Sequence, residues 1–495
     1  MRMQPEENLQ QNNEEGISDR INLKKICAVI LVCYAALAVA FYFLTGEQLH
    51  FRVSRGTIAM PTANYGTVEL VPGAKVEEVF TPKIQRLEQV SVTWGTYGRK
   101  DKGTVLVELY KKADMKLLLS QKLDASALKE GTVTTMTFGT PLENVYGAEL
   151  LLRITSPDGV SGSTVTPVMK TDADPLPGSQ LFLNGKETNG RLCFSAQGTD
   201  YIWFGLHYWA FAAAGGILLA AYLIFFLIRV QRRKKSTLLN AMIAMKKYQF
   251  LIHQLVSRDF HTKYKRSILG VFWSFLNPLL IMTVQYYVFS TIFKADIPYY
   301  PVYLLTGIVM FNFFSESCGM TLSSILGNSA LITKVYVPKY IYPLTRVLSS
   351  LVNLLISLIP LFAVVLISRV PITKAVLLFP FPLLCLAVFC LGLGMLLAAG
   401  MVFFRDVQFL WGVVSMLWMY ATPIFYPESI LPDQFKFVLA VNPLYYFIKF
   451  ARTCIISGIS PEPAVYAQVF LFSLGMLLVG AFVFRKSQDK FILYI

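Results

Sequence analysis

Histidine is scarce, charge is sparse, and the phosphate-cradling loop of nucleotide hydrolases is missing. The four histidines (His50, His207, His253, His261) make no pair with metal-ligand spacing, so no metal site is expected. No G-x-x-x-x-G-K-[ST] occurs, and the nearest stretch, Asn184-Gly-Lys-Glu187, lacks the preceding loop glycine. Without that loop the chain is not expected to hydrolyse nucleotide itself. Neither a nucleophile elbow nor a paired-carboxylate site is present, so no catalytic residue is assigned and the chain does not read as an enzyme. The cysteines number seven; Cys27, Cys33, Cys385 and Cys390 sit in apolar runs as small hydrophobes, and no disulfide framework is expected. There is no long internal repeat and no low-complexity tract. The polar, acid-containing start (Glu6, Glu7, Glu14, Glu15) is unlike a cleavable signal peptide.

What fills the chain is apolar. Of its 495 residues 55% are hydrophobic and 15% charged, and the mean hydropathy of +0.52 excludes an ordinary soluble globule. The net charge of +15 raises the question of nucleic acid. From Arg229 to Arg266 the basic residues, among them Arg232, Arg233, Lys246 and Lys247, face a single acid, Asp259, between two apolar runs. The positive-inside rule accounts for that cluster, and no nucleic acid partner is expected.

The periodicity divides the chain. A cytoplasmic tail over 1–25 precedes a transmembrane helix over 26–45, anchored by Lys24 and Lys25. Residues 46–203 change to period two, as in Val90-Ser-Val-Thr-Trp94 and Thr104-Val-Leu-Val-Glu-Leu-Tyr110, with Gly, Pro, Asn and Asp between the runs. This predicts an inserted extracellular β-sandwich, jelly-roll-like. A second transmembrane helix over 204–229 stops at a basic run, and a cytoplasmic linker with an amphipathic helix fills 230–270. Six more apolar runs occupy 271–485, before a cytoplasmic tail over 486–495. The fold class is therefore an α-helical multi-span membrane protein of about eight transmembrane helices, both termini inside.

In the linker, Tyr248, Leu251, Ile252, Leu255, Tyr264 and Ile268 recur at three- and four-residue steps, with basic and polar residues on the other face. Such a helix lies on the membrane surface, where it binds anionic lipid or receives force from a partner. Arg258-Asp259, Tyr264, Ser267, Leu269-Gly270, Trp273 and Pro278 mark the passage from this helix into the hydrocarbon. Three further stretches follow in order: Phe404-Arg-Asp-Val407, Thr422-Pro-Ile-Phe-Tyr-Pro427, and Asn442-Pro-Leu-Tyr-Tyr-Phe447. Together these motifs, over roughly residues 240–495, resemble the membrane subunit of type-2 ABC exporters of O-antigen, capsule and teichoic acid. The N-terminal half is a departure, since that six-span family normally lacks it.

The resemblance implies a homodimeric permease with two copies of a separate ABC ATP-binding subunit, which would carry ATP and Mg. It implies that the helix before Gly270 touches that subunit, with Arg258, Asp259, Tyr264, Arg266 and Ser267 at the contact, and that the connection bearing Lys334 adds a second one. It also implies re-entrant segments at an outer gate between Thr422 and Phe447, where Pro423, Pro427, Pro432 and Pro443 interrupt any continuous helix.

The remaining expectations concern the cargo. Positive potential from Lys263, Lys265, Arg266 and Arg405 suits the headgroup of membrane lipids or of a lipid-linked glycan. Arg405-Asp406 also reads as an ion pair or as an ordinary positive-inside arginine. Sugar rings pack their apolar faces on aromatic rings, so Tyr286, Tyr287, Trp418, Tyr420, Phe425, Tyr426 and Tyr445 are candidates for a translocation pathway, as against an interfacial belt. Glu316, an acid within a span, is a candidate for the same conduit. In the β-rich domain Trp94 and Tyr97 are candidate glycan platforms, core packing being the competing reading for Trp94. Two other functions fit parts of the chain: export of small drugs or lipids, and reception of a cell-wall glycan by a membrane receptor.

Overall fold

The computed structural model describes residues 22–54, 68–99, 101–170, 179–232, 237–265, 267–293, 297–430, 432, 434 and 436–495. They fall into two units, His50–His207 and a helical unit built from the residues on either side of it.

The first unit is a β-sandwich. Strand β1 (Phe51–Ser54) is followed by β2 (Lys75–Phe80), β3 (Arg86–Gly95), β4 (Thr104–Lys111), β5 (Lys116–Asp124), β6 (Val133–Glu143) and β7 (Leu150–Thr155). The short β8 (Thr166–Pro167) and β9 (Met169–Lys170) lead to β10 (Ser179–Leu183), β11 (Lys186–Thr188), β12 (Arg191–Leu192) and β13 (Phe194–Tyr201). One sheet has the order β1-β13-β3-β6, with β8 on β3; the other runs β11-β10-β2-β7-β4-β5. Alternation drives this: Val105, Val107 and Leu109 on β4 are buried while their neighbours are only partly so. The inward residues of both sheets form one core, in which Phe80 of β2 meets Phe194 of β13 at 4.9 Å between centroids.

Trp94 belongs to that core. It is wholly buried on β3, so it is not a glycan platform: the strand's alternation turns its ring inward. Tyr97 lies just beyond, 53% exposed and with φ +54°. Its loop is held by Glu130, which accepts from the Thr96 and Tyr97 amides at 2.6 Å each. Those amides, Thr96 first, hold the Glu130 carboxyl below its usual range. Glu78 is the opposite case. It is fully buried on β2 and accepts from the Ser179 hydroxyl and, at 3.1 Å, from the Leu192 amide. Burial outweighs those bonds and pushes its carboxyl up to about 7.

The helical unit contains α1 (Leu23–Thr45), α2 (Tyr208–Gln231), α3 (Thr237–Lys247), α4 (Gln249–Tyr264), α5 (Phe272–Phe293) and α6 (Tyr300–Leu322). It continues with α7 (Ile341–Ile367), α8 (Pro380–Phe403), α9 (Val407–Ala421), α10 (Pro443–Ile455) and α11 (Pro463–Ser487). Among the described residues six helices are long and apolar enough to cross a membrane: α1, α2, α6, α7, α8 with the turn before it, and α11 with the turn after it. At 15 residues α9 is shorter, rising about 22 Å against roughly 30 Å of hydrocarbon. The core of the unit is α6, whose Leu304, Leu305 and Phe314 are enclosed. Around it α8 and α11 approach so closely at Gly392 and Gly480 that a methyl group on either would overlap the other helix's backbone.

The added pair α1 and α2 is clipped by two tyrosines. Tyr34 on α1 donates to the Ala212 carbonyl at 2.8 Å, and Tyr208 on α2 donates to Ala38 at 2.7 Å. Elsewhere their surface is apolar and uncovered, as at Val32, Leu37, Phe43, Ile217 and Leu218, which suits lipid. The pair is also seated on the other helices: Phe41 packs edge-on against Tyr466 at 5.0 Å, and Gln48 accepts from the Ser460 amide at 2.5 Å.

Candidate functional site

Two polar constellations interrupt the apolar helices, at opposite ends of α6. The first joins α4 to the bundle. Helix α4 packs Leu255 into a satellite core with Ile325, Ile341 and Tyr342 and carries polar residues along its next turns. Beyond its end lies a turn in which Gly270 takes φ +51°, a conformation that favours glycine, while its amide donates to Ser267 Oγ at 3.1 Å. The amphipathic segment is therefore not one helix: α3 and α4 are separate, and α4 stops before Lys265.

Asp259 on α4 is 8% exposed. Its carboxylate takes Arg346 of α7 at 2.8 Å and its neighbour Arg258 at 3.2 Å, with Ser349 Oγ donating at 3.4 Å. Arg258, half exposed, also donates to Asn328 Oδ1 at 3.1 Å. One turn on, Lys263 Nζ meets Glu316 Oε1 of α6 at 2.7 Å. The same oxygen accepts from Asn353 Nδ2 of α7 at 2.5 Å. Asn353 Oδ1 accepts from the Tyr264 hydroxyl at 3.0 Å, and that hydroxyl also pairs with Ser274 Oγ of α5. Through these bonds α4 grips α5, α6 and α7 at once.

Several expectations change accordingly. Asp259 does not lie on a docking surface, because its carboxylate is enclosed and committed to Arg346. Glu316 lies in the junction with α4, as the partner of Lys263, and Lys263 is thereby drawn toward a carboxylate rather than left to lipid. Ser267, Lys265 and Lys334 are exposed, whereas Arg266 lies outside the described residues. Arg405 and Asp406 are both exposed and share no ion pair among the described residues.

The second constellation gathers two of the sequence motifs. Asn442 caps α10 by accepting from the Leu444 amide at 3.1 Å, and accepts from Trp418 Nε1 of α9 at 2.8 Å. Its amide nitrogen donates to Thr422 Oγ1 at 2.8 Å. The Thr-Pro and Asn-Pro stretches thus meet where backbone leaves the helical state, and their side chains satisfy it. Four carbonyls of this proline-broken segment are taken by α6 and α10. Tyr300 donates to Phe425 O at 2.7 Å and Tyr303 to Tyr426 O at 2.8 Å. Arg452 of α10 donates to Pro423 O at 2.6 Å, Ile424 O at 2.9 Å and Tyr303 O at 3.0 Å, its guanidinium lying 3.4 Å over the Tyr303 ring.

The aromatic candidates divide here. Phe425 is core, stacked on Phe289 at 5.4 Å, and so does not face an open path. Trp418 packs against Phe314 at 5.2 Å. Tyr445 is buried, with its hydroxyl on Glu428 at 2.8 Å, and Tyr426 donates to Tyr420 O at 2.7 Å. Tyr286, Tyr287 and Tyr420 present exposed rings. Sequence reading missed Arg452, Glu428 and Lys449. A lone arginine among the apolar residues of α10 was the available signal, since a charge at membrane depth needs partners.

The comparisons agree with this geometry. The ABC-2 type transporter family matches residues 250–456, which span α4, both constellations and α10. The chain is 32% identical over 248 residues to the O-antigen export system permease protein RfbA of Myxococcus xanthus, covering 49% of this chain and 95% of that protein. It is 21% identical over 256 residues to the capsule polysaccharide export inner-membrane protein CtrC of Neisseria meningitidis, covering 50% and 96%. It is 22% identical over 246 residues to the polysialic acid transport protein KpsM of Escherichia coli, covering 48% and 93%. With a bundle of this kind and relatives matched over nearly their whole length, the chain belongs to the ABC-2 type transporter family, as a multi-pass protein of the bacterial inner membrane.

Proposed function

We propose that this chain is the permease subunit of an ATP-driven exporter of a lipid-linked polysaccharide. The observation that carries the reading is that one helix, α6, holds both constellations. Glu316 is bound to α4, while Tyr300 and Tyr303 hold the carbonyls of the 422–426 segment. Tyr303 and Glu316 are separated by roughly 20 Å of rigid helix. A displacement of α4 is therefore passed through Glu316 to the proline-broken segment without any change in the apolar core between. Membership of the family implies an ATP-binding partner. In this reading two copies of it, carrying ATP and Mg, act on a homodimer and press on Arg266 and on the exposed Arg258, Ser267 and Lys334.

The ends of the helices support a topology for this reading. We count eight spans, adding α5 and α9 to the six long apolar helices. Helix α11 ends at Arg485 and Lys486, α2 at Arg229, and α1 begins beside Lys24 and Lys25, which favours the cytoplasm for all three ends. The far end of α1 is bonded to the connection before α11 through Gln48 and Ser460. In this reading both lie outside, and the β-sandwich inserted after Leu49 is extracellular. Lys265 and Arg405 would meet the lipid headgroup at the inner leaflet, and Tyr286, Tyr287 and Tyr420 would offer rings to the glycan. Tyr97 is the candidate by which the β-sandwich would touch it.

Depletion of the chain in its own bacterium tests this. Surface polysaccharide should fall and its lipid-linked precursor should accumulate on the cytoplasmic side. Unchanged surface polysaccharide with the chain absent contradicts the function.

A further inference from the structure

A cavity of about 260 Å³ opens beside the proline-broken segment, lined among others by Tyr303, Glu428, Tyr445, Lys449, Arg452 and Thr453. It is slightly smaller than the roughly 300–1,000 Å³ of sites for drug-sized ligands, which suits a single charged group on one sugar or headgroup. Its electrostatics are unbalanced: among the described lining residues Glu428 is the single carboxylate, against Lys449 and Arg452. Arg452 already serves three backbone carbonyls, and among the described residues no carboxylate is bonded to it. Lys449 Nζ donates to the Tyr445 hydroxyl at 2.7 Å and stands 3.6 Å from Glu428, with its side chain 41% exposed. An ammonium has three donors, so Lys449 keeps capacity toward the cavity. The Tyr445 hydroxyl donates to Glu428 in turn.

We propose that this cavity is an oxyanion subsite, taking a carboxylate or phosphate group by displacing Glu428 from Lys449 and Tyr445. Glu428 acts as an internal competitor: it offsets one of the two positive charges and yields to an anion that brings the same charge. Lys449 and Tyr445 then supply two hydrogen bonds to the anion, one from a charged and one from a neutral donor, and Arg452 a background of positive potential. The shared chemistry admits two sources, an acidic residue of the exported glycan or the headgroup of a membrane lipid. The first of these rests on the exporter reading; the binding itself does not.

The test is calorimetric titration of the full chain in phosphatidylcholine nanodiscs with glucuronate, glycerol phosphate and glucose. Both anions should bind and glucose should not. Lys449→Gln should weaken the anions about tenfold, the scale of one lost hydrogen bond to a charged group, while Lys449→Arg should retain them. Glu428→Gln should tighten them several-fold. Glucose binding as well as the anions do, or weaker anion binding in Glu428→Gln, overturns the proposal, as does indifference of both wild type and Glu428→Gln to the anions. Repeating the titration in phosphatidylglycerol nanodiscs separates the sources: competition by that lipid assigns the anion to a headgroup, and its absence assigns it to the glycan. ATP-driven export that persists without anion binding removes the subsite alone, whereas polysaccharide export independent of the chain removes the function.

Discussion

Lys263 on α4 and Glu316 on α6 stand 53 positions apart in sequence, and their charged ends meet at 2.7 Å. Both side chains are partly exposed, at 39% and 27%. A pair so placed contributes under about 1 kcal/mol to folding, so its consequence lies in holding two helices in register rather than in stability.

Reversal of either charge should therefore uncouple more than it unfolds. Lys263→Glu and Glu316→Lys are each expected to cut polysaccharide export about tenfold or more while leaving the melting temperature nearly unchanged. The double exchange should recover most of the loss. Export in cells, paired with ATPase activity of the purified complex, measures this; full export in both single variants would remove the pair from the coupling path.

Asp259 is a different case, since its carboxylate is enclosed and Arg346 is mostly so. Asp259→Asn leaves a guanidinium without its counter-charge, which costs about 3–5 kcal/mol for a buried pair. The variant should lose membrane yield and melt at lower temperature. Asp259→Asn with wild-type thermal stability would mean that Arg346 finds another partner.

Much of this was legible in the chain and some was not. The apolar runs and the period-two stretch are one-dimensional signals, and the structure has helices and strands there, though among the described residues six helices rather than the expected eight are long and apolar enough to cross a membrane. The Asn442 and Thr422 motifs were legible as breaks in helix, because proline cannot continue one. Their meeting was not, since it depends on α9 and α10 folding back on each other. Glu316 was visible as an acid in a span, but its partner lies on α4, far along the sequence, and no spacing rule links them. Trp94 and Tyr97 show the same limit: three positions separate a residue sealed in a core from one that is exposed.

That contrast gives a third expectation. Trp94→Ala should cost the β-sandwich about 3–5 kcal/mol, the usual range for emptying an aromatic core site. Tyr97→Gly should be neutral or stabilising by up to about 1 kcal/mol, because glycine accepts positive φ without strain. Hydrogen exchange of the β3 amides in the full-length protein reads both. Equal damage from the two substitutions would contradict the placement of Trp94.

Glu78 supplies a pH dependence. Its folded carboxyl is raised from 4.5 to about 7, so the stability of the neutral form is fully present below 4.5 and is lost as pH rises through 7. Complete ionisation costs on the order of 3 kcal/mol. Exchange of the β2 and β10 amides, corrected for intrinsic rates, should be slower at pH 5 than at pH 8, and Glu78→Gln should abolish the difference. A wild-type sandwich equally protected at both values would show that Glu78 titrates normally.

The most direct test of the account is to purify the chain from its native membrane in mild detergent and identify by mass spectrometry what accompanies it. The account predicts an ATP-binding subunit in equal amount, lost on charge reversal at Arg258. A homodimer recovered intact with no ATP-binding subunit would contradict it.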